Sequence, residues 1–148
     1  MENILISEKT FEKARKIIKE NKGKNIIFTS ENDDLNRKIL EKEKIAFLLL
    51  NQKNRKDFAK QRNSGLNQVL IKIAKKNGTS IAINLEEIIK SNSKEKAKII
   101  SRIIQNIKLC NKYHVQMKFF FEKQFLKNNE SKAFGSILGM PTWMTKNF

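Results

Sequence analysis

Ile45-Ala-Phe-Leu-Leu-Leu50, then a basic segment, then Ser64-Gly-Leu-Asn-Gln-Val-Leu-Ile-Lys-Ile-Ala74 running on to Gly78, then Ser80-Ile-Ala-Ile-Asn84: this stretch decides the fold. In its middle part Leu66, Val69, Leu70, Ile73 and Ala74 follow the i, i+3, i+4, i+7, i+8 series of one helix face, opened by Ser64 and closed by Gly78. The apolar runs on either side are continuous rather than alternating, as expected of strands covered on both faces. Strand, helix and strand in that order make a right-handed crossover between parallel neighbours.

The alternation continues outward. Ile4 to Ile6 and Ile26 to Phe28 upstream, and Val115 to Phe121 downstream, are further apolar runs of strand length. Phe11, Ala14, Ile17 and Ile18 share a helix face with Ser7 placed to cap it and Gly23 past its end. Leu35, Ile39 and Leu40 do the same after Asp33 and Asp34. Leu85 to Ile89 is a turn or two of helix, and Ser93 can cap a long helix in which Ala97, Ile100, Ile104 and Ile107 share a face with Ile103. A helix from Ser131 to Leu138 stops at Gly139, ahead of an aromatic end containing Trp143 and Phe148. An eight-stranded barrel typically takes about 250 residues, whereas this chain has 148 and five clear strands. The expectation is therefore one α/β domain over residues 1–148, an incomplete barrel or open mostly parallel sheet with flanking helices.

Charge gives the first indication of function. Thirty-one Lys and Arg against 15 Asp and Glu leave a net charge of +16, which calls for a polyanionic partner such as a phosphate backbone. No segment approaches the roughly 20 apolar residues of a membrane span, and the Met-Glu-Asn start lacks a signal-peptide layout, so a cytoplasmic protein is expected. The single cysteine, Cys110, excludes an internal disulfide or a cysteine metal cluster. Only five of the basic residues are arginine, at positions 15, 37, 55, 62 and 102. In a chain so rich in lysine, each arginine marks a place where a planar, bidentate fork is wanted.

The densest basic stretch, Lys53, Arg55, Lys56, Lys60 and Arg62 with Asp57 among them, follows the third strand. Loops at the carboxyl ends of parallel strands form the usual ligand face. This one runs through Asn63 and Ser64 into an expected helix N-terminus, whose free N–H groups favour a phosphate. Lys53, Arg55, Lys56, Lys60, Arg62, Asn63 and Ser64 are the candidate RNA-binding residues, with Arg102 and the lysines of the long helix as a second group; the same stretch also reads as a solvated charged loop with Ser64 as a routine helix cap. Phe58 lies inside the loop and either stacks on a base or anchors the loop.

Asp34-Leu-Asn-Arg-Lys-Ile-Leu-Glu41, the strand through Leu50, and Arg62-Asn-Ser-Gly-Leu-Asn-Gln-Val-Leu-Ile-Lys-Ile-Ala74 resemble the signature of archaeal ribonuclease P component 3. Ile81 to Leu85, the basic helix leading to Lys112-Tyr113, and Ser131 to Met140 resemble the rest of that family, so that the resemblance covers roughly residues 34–140. It implies a TIM-barrel-like fold related to the polymerase and histidinol phosphatase phosphoesterases. It also implies a subunit of the ribonucleoprotein that removes the 5′ leader of precursor tRNA, paired with the component 2 protein, in which the RNA does the chemistry with Mg. The chain departs from the family in being shorter ahead of Asp34, and in having Phe119-Phe120-Phe121-Glu122-Lys123 where a small-residue turn resembling Thr-Ser-Gly-Ala is expected. Both departures bear on whether the barrel closes.

An enzymatic alternative lacks its ligands. A multi-metal phosphoesterase site needs several converging His, Asp or Glu side chains, and this chain has one His and three Asp. His114 is expected to be structural and Cys110 to lie in the core, while Asp33 and Asp34 begin a helix and Asp57 tempers the basic loop. No Gly-rich phosphate loop is present. No catalytic residue, bound metal, cofactor or small-molecule substrate is assigned to the chain. A third class, a generic basic structured-RNA-binding or ribosome-associated protein, shares the charge and lacks the ancestry.

Overall fold

The structure, a computed structural model, describes all residues 1–148. Its strands are β1 (Asn3–Ser7), β2 (Asn25–Thr29), β3 (Phe47–Leu50), β4 (Ser80–Asn84), β5 (Met117–Phe121) and β6 (Gln124–Phe125). They form one sheet in chain order, parallel from β1 to β5 and antiparallel between β5 and β6. Between the strands run α1 (Phe11–Glu20), α2 (Asp33–Lys42), α3 (Gln68–Asn77), α4 (Leu85–Lys90) and α5 (Ser93–Tyr113), with α6 (Asn129–Leu138) and α7 (Thr142–Lys146) at the end. The sheet curls as about half of a barrel, one of the two forms open to strands that alternate with helices.

Continuous apolar runs serve both faces of this sheet, because successive side chains point to opposite sides. Phe28, Leu48, Leu50, Ile81, Ile83, Met117 and Phe119 pack beneath the helices in the main core. Their neighbours Ile27, Phe47, Leu49, Ala82 and Phe120 form a second, five-residue cluster on the helix-free face. Phe125 roofs that cluster, 4.2 Å from Phe47 and 5.2 Å from Phe120 between ring centres. At the far edge Leu5, in register with Ile27, stays 41% exposed.

The Phe119-Phe120-Phe121-Glu122-Lys123 departure is what ends the parallel series. Glu122 and Lys123 take left-handed φ values of 48° and 63°, the pair of conformations that a two-residue hairpin turn needs. The chain reverses at once, so Phe121 pairs with Gln124 and the next strand returns antiparallel. A small-residue turn leading into another crossover is replaced by a hairpin that folds Phe125 over the open face.

Helix boundaries depart from expectation where Asn replaces Ser as the cap. Thr10, not Ser7, caps α1, and the chain leaves that helix at Asn21, ahead of Gly23. Asn67, not Ser64, caps α3, its side chain accepting from Leu70 N–H at 2.9 Å. Asn92, not Ser93, caps α5. Gly78 and Gly139 close α3 and α6 in left-handed conformations as their positions imply. On α3 the inward face is Leu70, Ile71 and Ala74, leaving Val69 50% exposed. On α5 it is Ile99, Arg102, Ile103, Asn106, Ile107 and Cys110, rotated from the expected stripe, with Ala97 in solvent.

The aromatic end is tied down by α7, a helix absent from the sequence reading. Trp143 stacks on His114 at 3.9 Å and donates from Nε1 to Asn111 Oδ1 at 3.1 Å. His114 ends α5 in a left-handed conformation at φ 56°, so its role is structural.

Cys110 is fully buried on the core face of α5, and desolvation pushes its thiol well above the usual range. A thiol reagent at neutral pH is expected to leave it unmodified in the native protein. Across a urea series its labelling should coincide with loss of circular dichroism, and fast labelling of the native chain would show that α5 is not packed as described.

Candidate nucleic-acid interface

The segment from Asn51 to Asn67 joins β3 to α3 at the carboxyl ends of the strands. A loop of this length keeps one shape only if its backbone groups find partners. The partners come from α5. Arg102, 2% exposed, donates from NH1 to Gln52 O at 2.7 Å, from NH2 to Arg55 O at 2.8 Å, and from Nε to Asp57 Oδ1 at 3.0 Å. One turn on, Asn106 donates to Ser64 O at 3.2 Å, which also accepts from Gln52 Nε2 at 2.9 Å.

Asp57 is the loop's own node. Besides Arg102 it accepts from Asn63 N–H at 2.9 Å and lies 3.5 Å from Arg62. The Arg102 hydrogen bond first, then that of Asn63, hold its carboxyl below the usual carboxylate range. It therefore does more than temper charge.

Arg55 makes the second inward tie. Its fork meets Asp33 at 2.9 and 3.0 Å, and its Nε donates to Asn51 O at 2.6 Å. The guanidinium lies against Gly65, where a Cβ would stand 2.5 Å from NH2, and where φ is +77°. Glycine at this place in Arg62-Asn-Ser-Gly-Leu-Asn67 thus answers both a steric and a backbone demand. The rest of that run is equally occupied. Asn63 Oδ1 accepts from Arg55 at 3.4 Å, Ser64 is buried, Leu66 enters the core, and Asn67 caps α3.

The candidate residues therefore divide. Lys53, Lys56, Lys60 and Arg62 are exposed, and none of the three lysines has a carboxylate partner. Arg55, Asn63 and Ser64 hold the loop in place. Arg102 faces the protein interior with each of its three nitrogens hydrogen-bonded, and the expected helix start at Ser64 lies at Asn67 instead. The physical reason is that the loop's carbonyls need donors more than solvent does.

A cavity of about 440 Å³ opens beside the loop, lined by polar residues only, among them Lys53, Arg55, Lys56, Asn51, Asn63 and Glu87. Asn51, on its wall, belongs to a chain of amides and a hydroxyl. Asn84 donates to Asn51 Oδ1 at 2.9 Å, Asn51 to Thr29 Oγ1 at 3.2 Å, and Thr29 to Leu49 O at 2.9 Å, tying β2, β3 and β4 together. Burial raises the Glu87 carboxyl, which accepts from Gln52 and Lys53 N–H at 2.7 and 3.3 Å. No three His, Cys, Asp or Glu side chains are grouped so as to hold a metal ion. The cavity wall itself sets Lys53, Arg55 and Lys56 against the carboxylates Glu31, Asp33 and Glu87, whereas the exposed cations of the loop beside it suit phosphate oxygens. No helix is long and apolar enough to cross a membrane.

Replacing Arg102 by Met would keep most of its volume, leave the Gln52 and Arg55 carbonyls without this donor and take from Asp57 one of its partners, a cost of roughly 3 kcal/mol. Denaturant unfolding is expected to show it, while Lys56→Gln should change stability by less than about 0.5 kcal/mol. Because the Asp57 pKa is lowered on folding, its contribution is present above the ordinary carboxylate range and is lost as pH falls through the folded value. The stability gap between wild type and Asp57→Asn should accordingly close in acid and stay open at pH 7.

No protein-family model matches the chain. Curated relatives do match. Ribonuclease P protein component 3 of Methanococcus maripaludis strain C6 is 30% identical over 112 residues, 74% of this chain and 46% of the relative. The protein of the same description from Methanococcus vannielii is 32% identical over 100 residues, 66% of this chain and 41% of the relative, and that from Methanosarcina acetivorans 39% identical over 56 residues, 38% of this chain and 23% of the relative. The chain spans about half the length, or less, of these relatives. A chain of a cryo-EM structure of archaeal ribonuclease P with mature tRNA superposes with a TM-score of 0.80, covering 97% of this chain and 62% of that one at 23% identity, and so shares the fold. By the sequence of its relatives, the chain belongs to the ribonuclease P protein component 3 family.

Proposed function

We propose that the chain acts as a protein subunit of a cytoplasmic ribonuclease P particle, binding its RNA and supporting removal of the 5′ leader of precursor tRNA. The observation that carries this reading is the division within the basic loop. Arg102 and Arg55 fix the backbone from inside, and Lys53, Lys56, Lys60 and Arg62 are left facing solvent beside a polar cavity. A rigid array of exposed cations can hold a folded phosphate backbone in one register, whereas a mobile basic tail only attracts it. Family membership supplies the particle. In this reading the RNA and its Mg carry the chemistry, and the component 2 protein is the protein partner.

Reconstitution tests it. Adding this chain together with component 2 to ribonuclease P RNA is expected to raise leader removal from precursor tRNA, and the two proteins should co-purify in a stoichiometric complex at low salt. Changing Lys53, Lys56, Lys60 and Arg62 together to Gln should flatten the dependence of log affinity on log salt by roughly 2 to 4. Binding an unrelated structured RNA of equal length as tightly, with no effect on cleavage, would instead make the chain a general basic RNA binder. Arg62→Lys separates a positioned contact, which falls, from a diffuse one, which does not.

A further inference from the structure

Of the ten Phe, one Tyr and one Trp in the chain, only Phe58 is exposed, at 59%. It belongs to neither apolar cluster, so it does not anchor its loop. Yet its backbone is held on both sides. The preceding Asp57 is held by Arg102 at 3.0 Å, and Phe58 N–H donates to Gln61 O at 2.9 Å across the turn. Lys56 and Lys60 stand two residues to either side and Arg62 two beyond, all exposed. The other exposed large apolar side chains, Met1, Leu5, Val69, Ile89 and Ile137, are aliphatic and lie outside this cluster.

An aromatic ring held in solvent among cations matches a nucleotide part for part, with the ring taking the face of a base and the cations its phosphates. The same surroundings disfavour an apolar protein contact, which would have to desolvate the lysines together with the ring. Within a duplex each base face is already stacked on its neighbours, so the ring selects nucleotides that are unpaired. We propose that Phe58 is a stacking platform for an unpaired base, and that the loop thereby distinguishes single-stranded or bulged RNA from uniform duplex. This rests on the RNA-binding reading above and adds to it the kind of RNA segment the loop takes.

The test uses the full chain and two RNA hairpins, each closed by a base-free linker and with equal numbers of phosphates, one blunt and one ending in a single-stranded extension. Phe58→Ala and Phe58→Leu are expected to weaken binding to the extended hairpin by about tenfold, within a range of about fivefold to a hundredfold. Phe58→Tyr should bind as wild type. Binding to the blunt hairpin and the salt slope on both RNAs should be unchanged in every variant, since no charge is removed. Equal losses on both hairpins, no loss on either, or full activity of the Leu variant would overturn the platform. So would a loss of co-purification with component 2 while RNA affinity stays intact. A wild-type chain that binds neither hairpin nor ribonuclease P RNA would overturn the RNA-binding reading itself, and the platform with it.

Discussion

The buried guanidinium of Arg102 is the constraint on which the site depends. Taking an arginine out of water costs several kcal/mol unless its donors are met and its charge is balanced. Here two loop carbonyls and the Asp57 carboxylate meet that demand. The dependence runs both ways, because the loop between β3 and α3 has few apolar side chains with which to hold itself. Leu66 alone in this loop enters the main core, and it does so at the far end. The helix thus orders the loop by hydrogen bonds rather than by burial of apolar area. Arg55 repeats the arrangement on a smaller scale from within the loop, binding Asp33 at the start of α2.

Charge in this protein consequently has two uses. Arginines at 55 and 102 satisfy backbone and carboxylate groups inside, where a planar fork gives geometry that an ammonium cannot. The lysines at 53, 56 and 60 remain outside, where a hydrated point charge is adequate. A surplus of +16 would by itself attract any polyanion; the inward arginines are what give part of that surplus a fixed arrangement. The hairpin at Glu122 and Lys123 acts similarly for the fold, since it stops the parallel series and roofs the helix-free face with Phe125.

Strand positions were legible in the sequence because the central parallel strands bury both faces, giving short apolar runs that nothing else in the chain imitates. The mostly parallel sheet followed from their alternation with helices, which left an open sheet and an incomplete barrel both possible; the barrel came from the family resemblance. Residues 34–140 also carried the family resemblance, which the curated relatives bear out. Less legible was the inward face of α5, since a count of apolar residues passes over Arg102 and Asn106, the two positions where that helix meets polar loop groups. Ser64 was misplaced as a cap for a related reason. Ser and Asn cap equally well by type, and only the course of the loop shows that Asn67 stands at the helix start. Phe58 could be read either way until the structure showed it outside both cores. The two-residue strand β6 is too short to leave any periodic signal.

The central claim is that the basic loop is ordered in the free chain. Amide hydrogen exchange on the free chain tests it most directly, at Gln52 and Asn63, whose N–H groups donate to Glu87 and Asp57. Slow exchange at both amides without RNA, becoming fast in Arg102→Met while the β4 amides stay protected, is the expected result. Exchange at unfolded-chain rates in the free wild type, with protection appearing only when ribonuclease P RNA is added, would contradict the account.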